Sequence, residues 1–138
     1  MNLAPYIDHT ILKPGILLSD INRICSEAKE YHFAAVCVPP LMVKAAKAHL
    51  KESPVKIATV IGFPFGYSAI EAKIAETVLA IVDGADELDV VINYTAIKNN
   101  DWQFVANEIN HLTNIIKNKN NPLTKNWVGY AHRLDLKN

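Results

Sequence analysis

The chain, 138 residues long, predicts an α/β fold built on a parallel sheet, and three observations carry that expectation. FAAVCVPP (33–40), KIATVIGF (56–63) and ELDVVIN (87–93) are short apolar runs rich in β-branched residues. Runs of that kind, continuous in their apolarity, suit strands covered on both faces. Each run is followed by a segment whose apolar residues recur at helical spacing, and turn residues punctuate the junctions. Strands that alternate with helices imply right-handed crossovers, either in a doubly wound sheet or in part of a β/α barrel. Both architectures place ligands at the carboxyl ends of the strands.

The elements follow in order. Ser19 is placed as the N-cap of SDINRICSEAKEYH (19–32), a helix whose Ile21, Ile24, Cys25 and Ala28 form one buried stripe. FAAVCVPP, closed by Pro39 and Pro40, is the first strand, and LMVKAAKAHLKE (41–52) returns to helical periodicity. KIATVIGF is the second strand. Ser68 and Glu71 form an S-x-x-E capping box before AIEAKIAETVLAIVDGA (69–85), and Gly84 sits where a left-handed cap is expected. ELDVVIN is the third strand. DWQFVANEINHLTNIIKN (101–118) is the helix after it, with Phe104, Ile109, Leu112 and Ile116 directed at the core. The pattern is one helix followed by three strand-helix units. Residues 118–138 are polar and rich in asparagine, offer no clean apolar strand, and are set apart from 1–117 as a tail.

Composition narrows the function. With 14 basic and 14 acidic residues the formal net charge is zero, so no basic field collects nucleic acid or anionic lipid. The start, MNLAPYIDHTILKP, has no basic segment followed by an apolar one, and no apolar run is long enough to span a bilayer. A cytoplasmic protein is expected. Cys25 and Cys37 fall in different elements without C-x-x-C spacing, and His9, His32, His49, His111 and His132 show no ligand spacing. Neither a disulfide framework nor a metal is expected.

The stretch GADELDVVIN (84–93) poses the chemical question. Asp86, Glu87 and Asp89 sit in or against a buried strand, where an unpaired charge is expensive. A salt bridge, a solvated turn, or a reaction that needs a carboxylate at the mouth of a sheet would each account for them. Asp86 and Glu87 are assigned to a solvated turn or structural pairing, and Lys73 with Glu76, three apart on one helix, to an ordinary surface or interhelical pair.

YIDHTILKP, AAVCVPP, ATVIGFPFG followed by Lys73 and Glu76, and GADELDVVIN stand in this order over residues 3–117. In order and spacing they resemble the opening of the 2-deoxyribose-5-phosphate aldolases. The resemblance implies the first part of a TIM (β/α)8 barrel, about three β/α units preceded by an N-terminal helix. It implies a lyase of deoxyribonucleotide catabolism that reversibly cleaves deoxyribose 5-phosphate to glyceraldehyde 3-phosphate and acetaldehyde. That family works through a lysine Schiff base and uses neither metal nor cofactor. Asp89 matches the family's proton-relaying acid, a role that suits a carboxylate within reach of an amine adding to a carbonyl. Asp8, Thr10 and Cys37 match residues that line the substrate pocket. Local capping of a turn and simple packing of a buried thiol are the non-functional readings of the last three.

The family's Schiff-base lysine lies in a K-T-S-T-G type segment and its second lysine near a Gly-Gly pair, and neither motif occurs in this sequence. The chain has 12 lysines. Only Lys13 and Lys98 are expected near the catalytic rim; Lys56 precedes its strand and is expected at the opposite end. The resemblance therefore implies a truncated aldolase, inactive alone, whose exposed sheet edges favour self-association. A non-catalytic half-barrel that binds sugar phosphate or a partner chain would bind without turnover. A small doubly wound domain would need an early acidic pair or a glycine-rich phosphate loop, and the sequence has neither.

Overall fold

The computed structural model describes residues 2–117 and the backbone of Val128–Ala131. A 3-10 turn at Ala4–Tyr6 leads into β1 (Asp8–Thr10), α1 (Leu18–Tyr31) and β2 (Ala35–Val38). A second 3-10 turn, Pro40–Met42, precedes α2 (Val43–His49), β3 (Lys56–Ile61), α3 (Ile70–Asp83) and β4 (Glu87–Val90). The short α4 (Tyr94–Lys98), α5 (Trp102–Lys117) and β5 (Val128–Ala131) complete the order. All neighbouring strands pair in parallel, in the sequential order β1-β2-β3-β4-β5. A doubly wound sheet reverses its strand order partway across, whereas a β/α barrel does not. Unreversed order and a single helical layer make this part of a TIM barrel.

The helical layer follows from the alternation of side chains along each strand. Val36, Val38, Ile57, Ile61 and Leu88 face the helices and form one core with Ile21, Ile24, Cys25 and Ala28 of α1, Val43 and Ala46 of α2, and Ala80 and Ile81 of α3. The stripe read for α1 is the buried one. Ala35, Cys37, Ala58 and Val60 occupy the opposite face as a second, smaller cluster, with Leu12 packed on it. In a closed barrel that face is the interior.

Several expectations change. The first helix is preceded by a strand, because Asp8–Thr10 pairs with Ala35–Cys37; three residues with polar side chains give no apolar signal. Val128–Ala131 adds a strand beside β4, in the segment expected to hold none. Ser19 does not cap α1: the helix begins at Leu18, and Asp20 reaches back to accept from the Leu17 amide at 3.1 Å. Nor does Ser68 cap α3, which starts at Ile70 after Ala69. Gly84 does close it, with φ 101°. On α5 the buried residues are Val105, Glu108, Leu112 and Ile116, while Ile109 is exposed. The helix is rotated from the apolar stripe toward Glu108.

One buried hydroxyl on α3 lacks a partner among the described residues, Thr77 Oγ1. A desolvated hydroxyl without a hydrogen bond is destabilising, and valine has nearly the same shape. Thr77→Val should raise stability by about 1 kcal/mol, read as a higher urea midpoint at unchanged m-value; a lower midpoint would mean the hydroxyl is satisfied in solution.

Candidate functional site

Strand register decides which polar groups meet. Asp8, Ala35 and Lys56 are cross-strand partners, as are Thr10 and Cys37, Cys37 and Ala58, Ala58 and Glu87, and Val60 and Asp89. Since alternate residues share a face, Asp8, Thr10, Cys37, Lys56, Glu87 and Asp89 all lie on the inner face with the small apolar cluster. The four residues singled out in the sequence as site candidates, Asp8, Thr10, Cys37 and Asp89, are thus brought to one surface. Thr10, Cys37 and Asp89 sit toward the carboxyl ends of their strands.

Two inner-face residues carry no site role in the sequence reading. Lys56 Nζ donates to Glu87 Oε1 at 2.7 Å, so Glu87 is structurally paired and its partner is the lysine expected at the wrong end. Period-two alternation in ELDV puts Glu87 and Asp89 on the same side; only the β3-β4 register reveals Lys56 beside them. Asp86 serves the turn, accepting from the Ile57 amide at 2.9 Å and lying 3.7 Å from Lys47 Nζ. The three acids therefore have separate environments.

Electrostatics on this face are those of clustered carboxylates. Burial pushes the Asp8 carboxyl above its ordinary range, the charge of Glu87 adds to the shift, and Lys56 opposes it. Burial pushes the Cys37 thiol up to about 12, helped by Asp89, Asp8 and Glu87 and countered by the Thr10 hydroxyl. Cys37 is consequently a neutral thiol at physiological pH and a poor nucleophile. Cys25, on the helical side, is likewise raised by burial, to about 11.

The Asp8 shift has a measurable consequence. A carboxyl that holds its proton to higher pH in the folded chain than in the unfolded one costs stability where it is ionised, and the cost disappears as pH falls through the folded value. Asp8→Asn should therefore raise the urea midpoint at about pH 7 and leave it unchanged at about pH 3, by under about 1 kcal/mol because the residue is largely exposed. A lowered midpoint at the higher pH would contradict burial as the cause of the shift.

Behind the carboxyl end of β4 lies a buried ion pair. Lys73 of α3 and Glu108 of α5 are both 0% exposed. Lys73 Nζ donates to Glu108 Oε1 at 2.6 Å and to the Val91 carbonyl at 2.8 Å. Glu108 Oε2 accepts from the Asn93 amide at 3.2 Å, and Asn93 Oδ1 in turn accepts from the Ala96 amide at 3.0 Å, capping α4. Lys73 is thus not a surface residue, and Glu76 is not its partner; Glu76 accepts from the Gly62 amide at 2.7 Å. Without the packing of α5 on α3, no spacing in the sequence joins residues 73 and 108.

The rim above β1, β2 and β3 is a largely apolar hollow of about 660 Å³ lined in part by Leu12, Lys13, Pro39, Leu41, Met42 and Phe63. Lys13 is at this rim. Lys98 stands over the Tyr94 ring, its Nζ 5.3 Å from the centroid. Among the described residues, no group of three or more His, Cys, Asp and Glu side chains is placed to hold a metal ion, and no helix is long and apolar enough to cross a membrane.

A sequentially ordered parallel sheet, helices on one face and polar groups gathered on the other, with Thr10, Cys37 and Asp89 toward the strands' carboxyl ends, defines a barrel-type scaffold of the kind that houses enzyme sites. The chain belongs to the DeoC/LacD family of aldolases, whose family model matches residues 3–121. A deoxyribose-phosphate aldolase of Thermoanaerobacter sp. (strain X514) is 46% identical over 117 residues, which are 85% of this chain and 52% of that protein. The one from Treponema denticola is 48% identical over 120 residues, 87% and 56% of the two chains. Among solved structures, the aldolase QR15 superposes with a TM-score of 0.79 at 36% identity, covering 83% of this chain and 51% of its own. The tetrameric deoxyribose phosphate aldolase of Aeropyrum pernix gives 0.71 at 28%, covering 82% and 48%. The chain spans about half the length of the curated relatives it matches.

Proposed function

We propose that this chain carries the acid-base half of a Schiff-base aldolase site for deoxyribose 5-phosphate, with residues 1–117 as the barrel portion. The observation that carries the reading is the convergence of Asp89, Cys37, Thr10 and Asp8 on the inner face. Asp89 is the proton donor and acceptor. An amine adding to the sugar's carbonyl must lose a proton and pass one to the departing water, and a carboxylate at the mouth of β4 can do both. Cys37 and Thr10 wall the pocket beside it, and Asp8 lines its lower edge.

The nucleophile is supplied from outside the described residues. A Schiff-base lysine must be neutral, by desolvation or by a neighbouring cation. Lys73 fails because its ammonium is engaged by Glu108 and the Val91 carbonyl; Lys56 is engaged by Glu87. Lys13 lines the rim hollow, and Lys98 Nζ is engaged over the Tyr94 ring. On this reading the chain is catalytically silent alone and becomes competent when the remaining strands complete the barrel.

The test is complementation. The chain is co-expressed with the carboxyl-terminal half of the Thermoanaerobacter relative, the complex is isolated, and deoxyribose 5-phosphate is added with borohydride. A reduced sugar adduct on a lysine of the supplied half and turnover of substrate are expected. Asp89→Asn in this chain should lower kcat by about 10²- to 10⁴-fold. A complex that assembles but traps no sugar would overturn the reading.

A further inference from the structure

The β3-α3 connection builds a second hollow that the inner-face site does not use. It encloses about 450 Å³ and is lined by Phe63, Phe65, Tyr67, Ser68 and Glu76, with Gly62, Pro64, Gly66 and Ala72. None of the inner-face residues borders it. Three aromatic side chains in five residues of loop remain open to solvent, Phe63 at 47%, Phe65 at 64% and Tyr67 at 64%. Phe65 and Tyr67 are stacked, with centroids 5.4 Å apart and planes 29° apart. Stacking presents a continuous π surface at little further entropic cost, since each ring restrains the other.

Glu76 is the one charged residue of the lining, and no lysine or arginine borders the hollow. One carboxylate oxygen, Oε2, is fixed by the Gly62 amide at 2.7 Å. The loop itself is pinned, because the Gly66 amide donates to the Gly62 carbonyl at 2.8 Å. A preformed wall of π faces with a fixed carboxylate attracts positive charge and repels anions. We propose that this cradle binds an organic cation, a guanidinium or primary ammonium group, seated against the Phe65-Tyr67 stack with its N–H groups donating to Glu76. Phe63 and Pro64 border both this hollow and the rim hollow, but the phosphate of a sugar phosphate is the wrong sign for a lone carboxylate, so the cradle's ligand is not the proposed substrate and the proposal does not depend on that reading.

The probe is methylguanidinium, titrated into the full 138-residue chain and followed by the backbone amide resonances of Gly66, Tyr67 and Ser68. Saturable shifts are expected, and neutral N-methylurea, of the same shape, should produce none. Glu76→Gln retains an oxygen acceptor for the Gly62 amide while removing the charge, and Phe65→Leu with Tyr67→Leu keeps apolar bulk while removing the π faces. Each should weaken binding by about tenfold, with the remaining amide spectrum unchanged because the altered groups are exposed or isosteric. A Gly-Arg-Gly peptide distinguishes the source of the cation. Tighter binding than methylguanidinium assigns the cradle to an arginine carried by a partner polypeptide; equal or weaker binding assigns it to a free small cation. Shifts that fail to saturate, or N-methylurea shifts of equal size, overturn the proposal.

Discussion

Glu108→Leu should lower folding stability by about 3–5 kcal/mol, the usual cost of stranding one member of a buried ion pair. The loss would come from Lys73, whose ammonium is 0% exposed and would keep only the Val91 carbonyl as partner. Lys73→Met should cost a similar amount by leaving the Glu108 carboxylate with the Asn93 amide alone. The double variant, Lys73→Met with Glu108→Leu, removes both charges together and should recover most of the loss. Recovery would stay incomplete by about 1–3 kcal/mol, because the Val91 carbonyl and the Asn93 amide lose their partners. Urea denaturation of the four proteins gives the coupling directly. Strictly additive single losses would show that the two residues do not interact in solution.

The pair also marks the limit of what local sequence pattern encodes. Along α1 the apolar period settles the buried face: Ile21, Ile24, Cys25 and Ala28 recur at helical spacing and are the buried residues, although the cap falls at Leu17 and not at Ser19. The strands β2, β3 and β4 are equally legible, because apolar β-branched runs between turn residues leave little alternative. On α5 the rule that apolar residues face inward picks Ile109, which is exposed, over Glu108, which is buried. A charge is buried only when a partner meets it, and the partner is 35 residues away on another helix. β1 escapes the apolar pattern for a related reason. Asp8 and Thr10 belong to the polar inner face, so a strand that carries part of the site looks least like a strand. The residues of the candidate site are legible through the family's motifs, whereas their shared face requires the β1-β2, β2-β3 and β3-β4 registers, which no local pattern records.

Gly66→Ala should be among the most damaging single changes in the chain, costing about 3 kcal/mol or more. Gly66 has φ +68°, and a Cβ there would stand 2.2 Å from the Ile92 carbonyl oxygen and 2.8 Å from that of Val91. These are backbone atoms, held by the Val91 amide's bond to the Ile61 carbonyl at 2.9 Å and by Lys73 on the Val91 carbonyl. Neither side can give way as a flexible side chain would. Gly15 is the control, with φ +74° and nothing within 4 Å of its Cβ; Gly15→Ala should lose only the conformational term, about 1–2 kcal/mol. The difference between the two variants in urea isolates the collision of the β3-α3 loop with the end of β4. Under the proposed proton-relay role of Asp89, Gly66→Ala should also depress turnover of the complemented barrel, because the carbonyls it would displace lie two and three residues beyond Asp89, and a shift of about 1 Å in a catalytic group costs about 10²-fold. Equal losses for the two glycines would show that the loop yields, and that the approach of Gly66 to Ile92 does not fix the geometry at the mouth of β4.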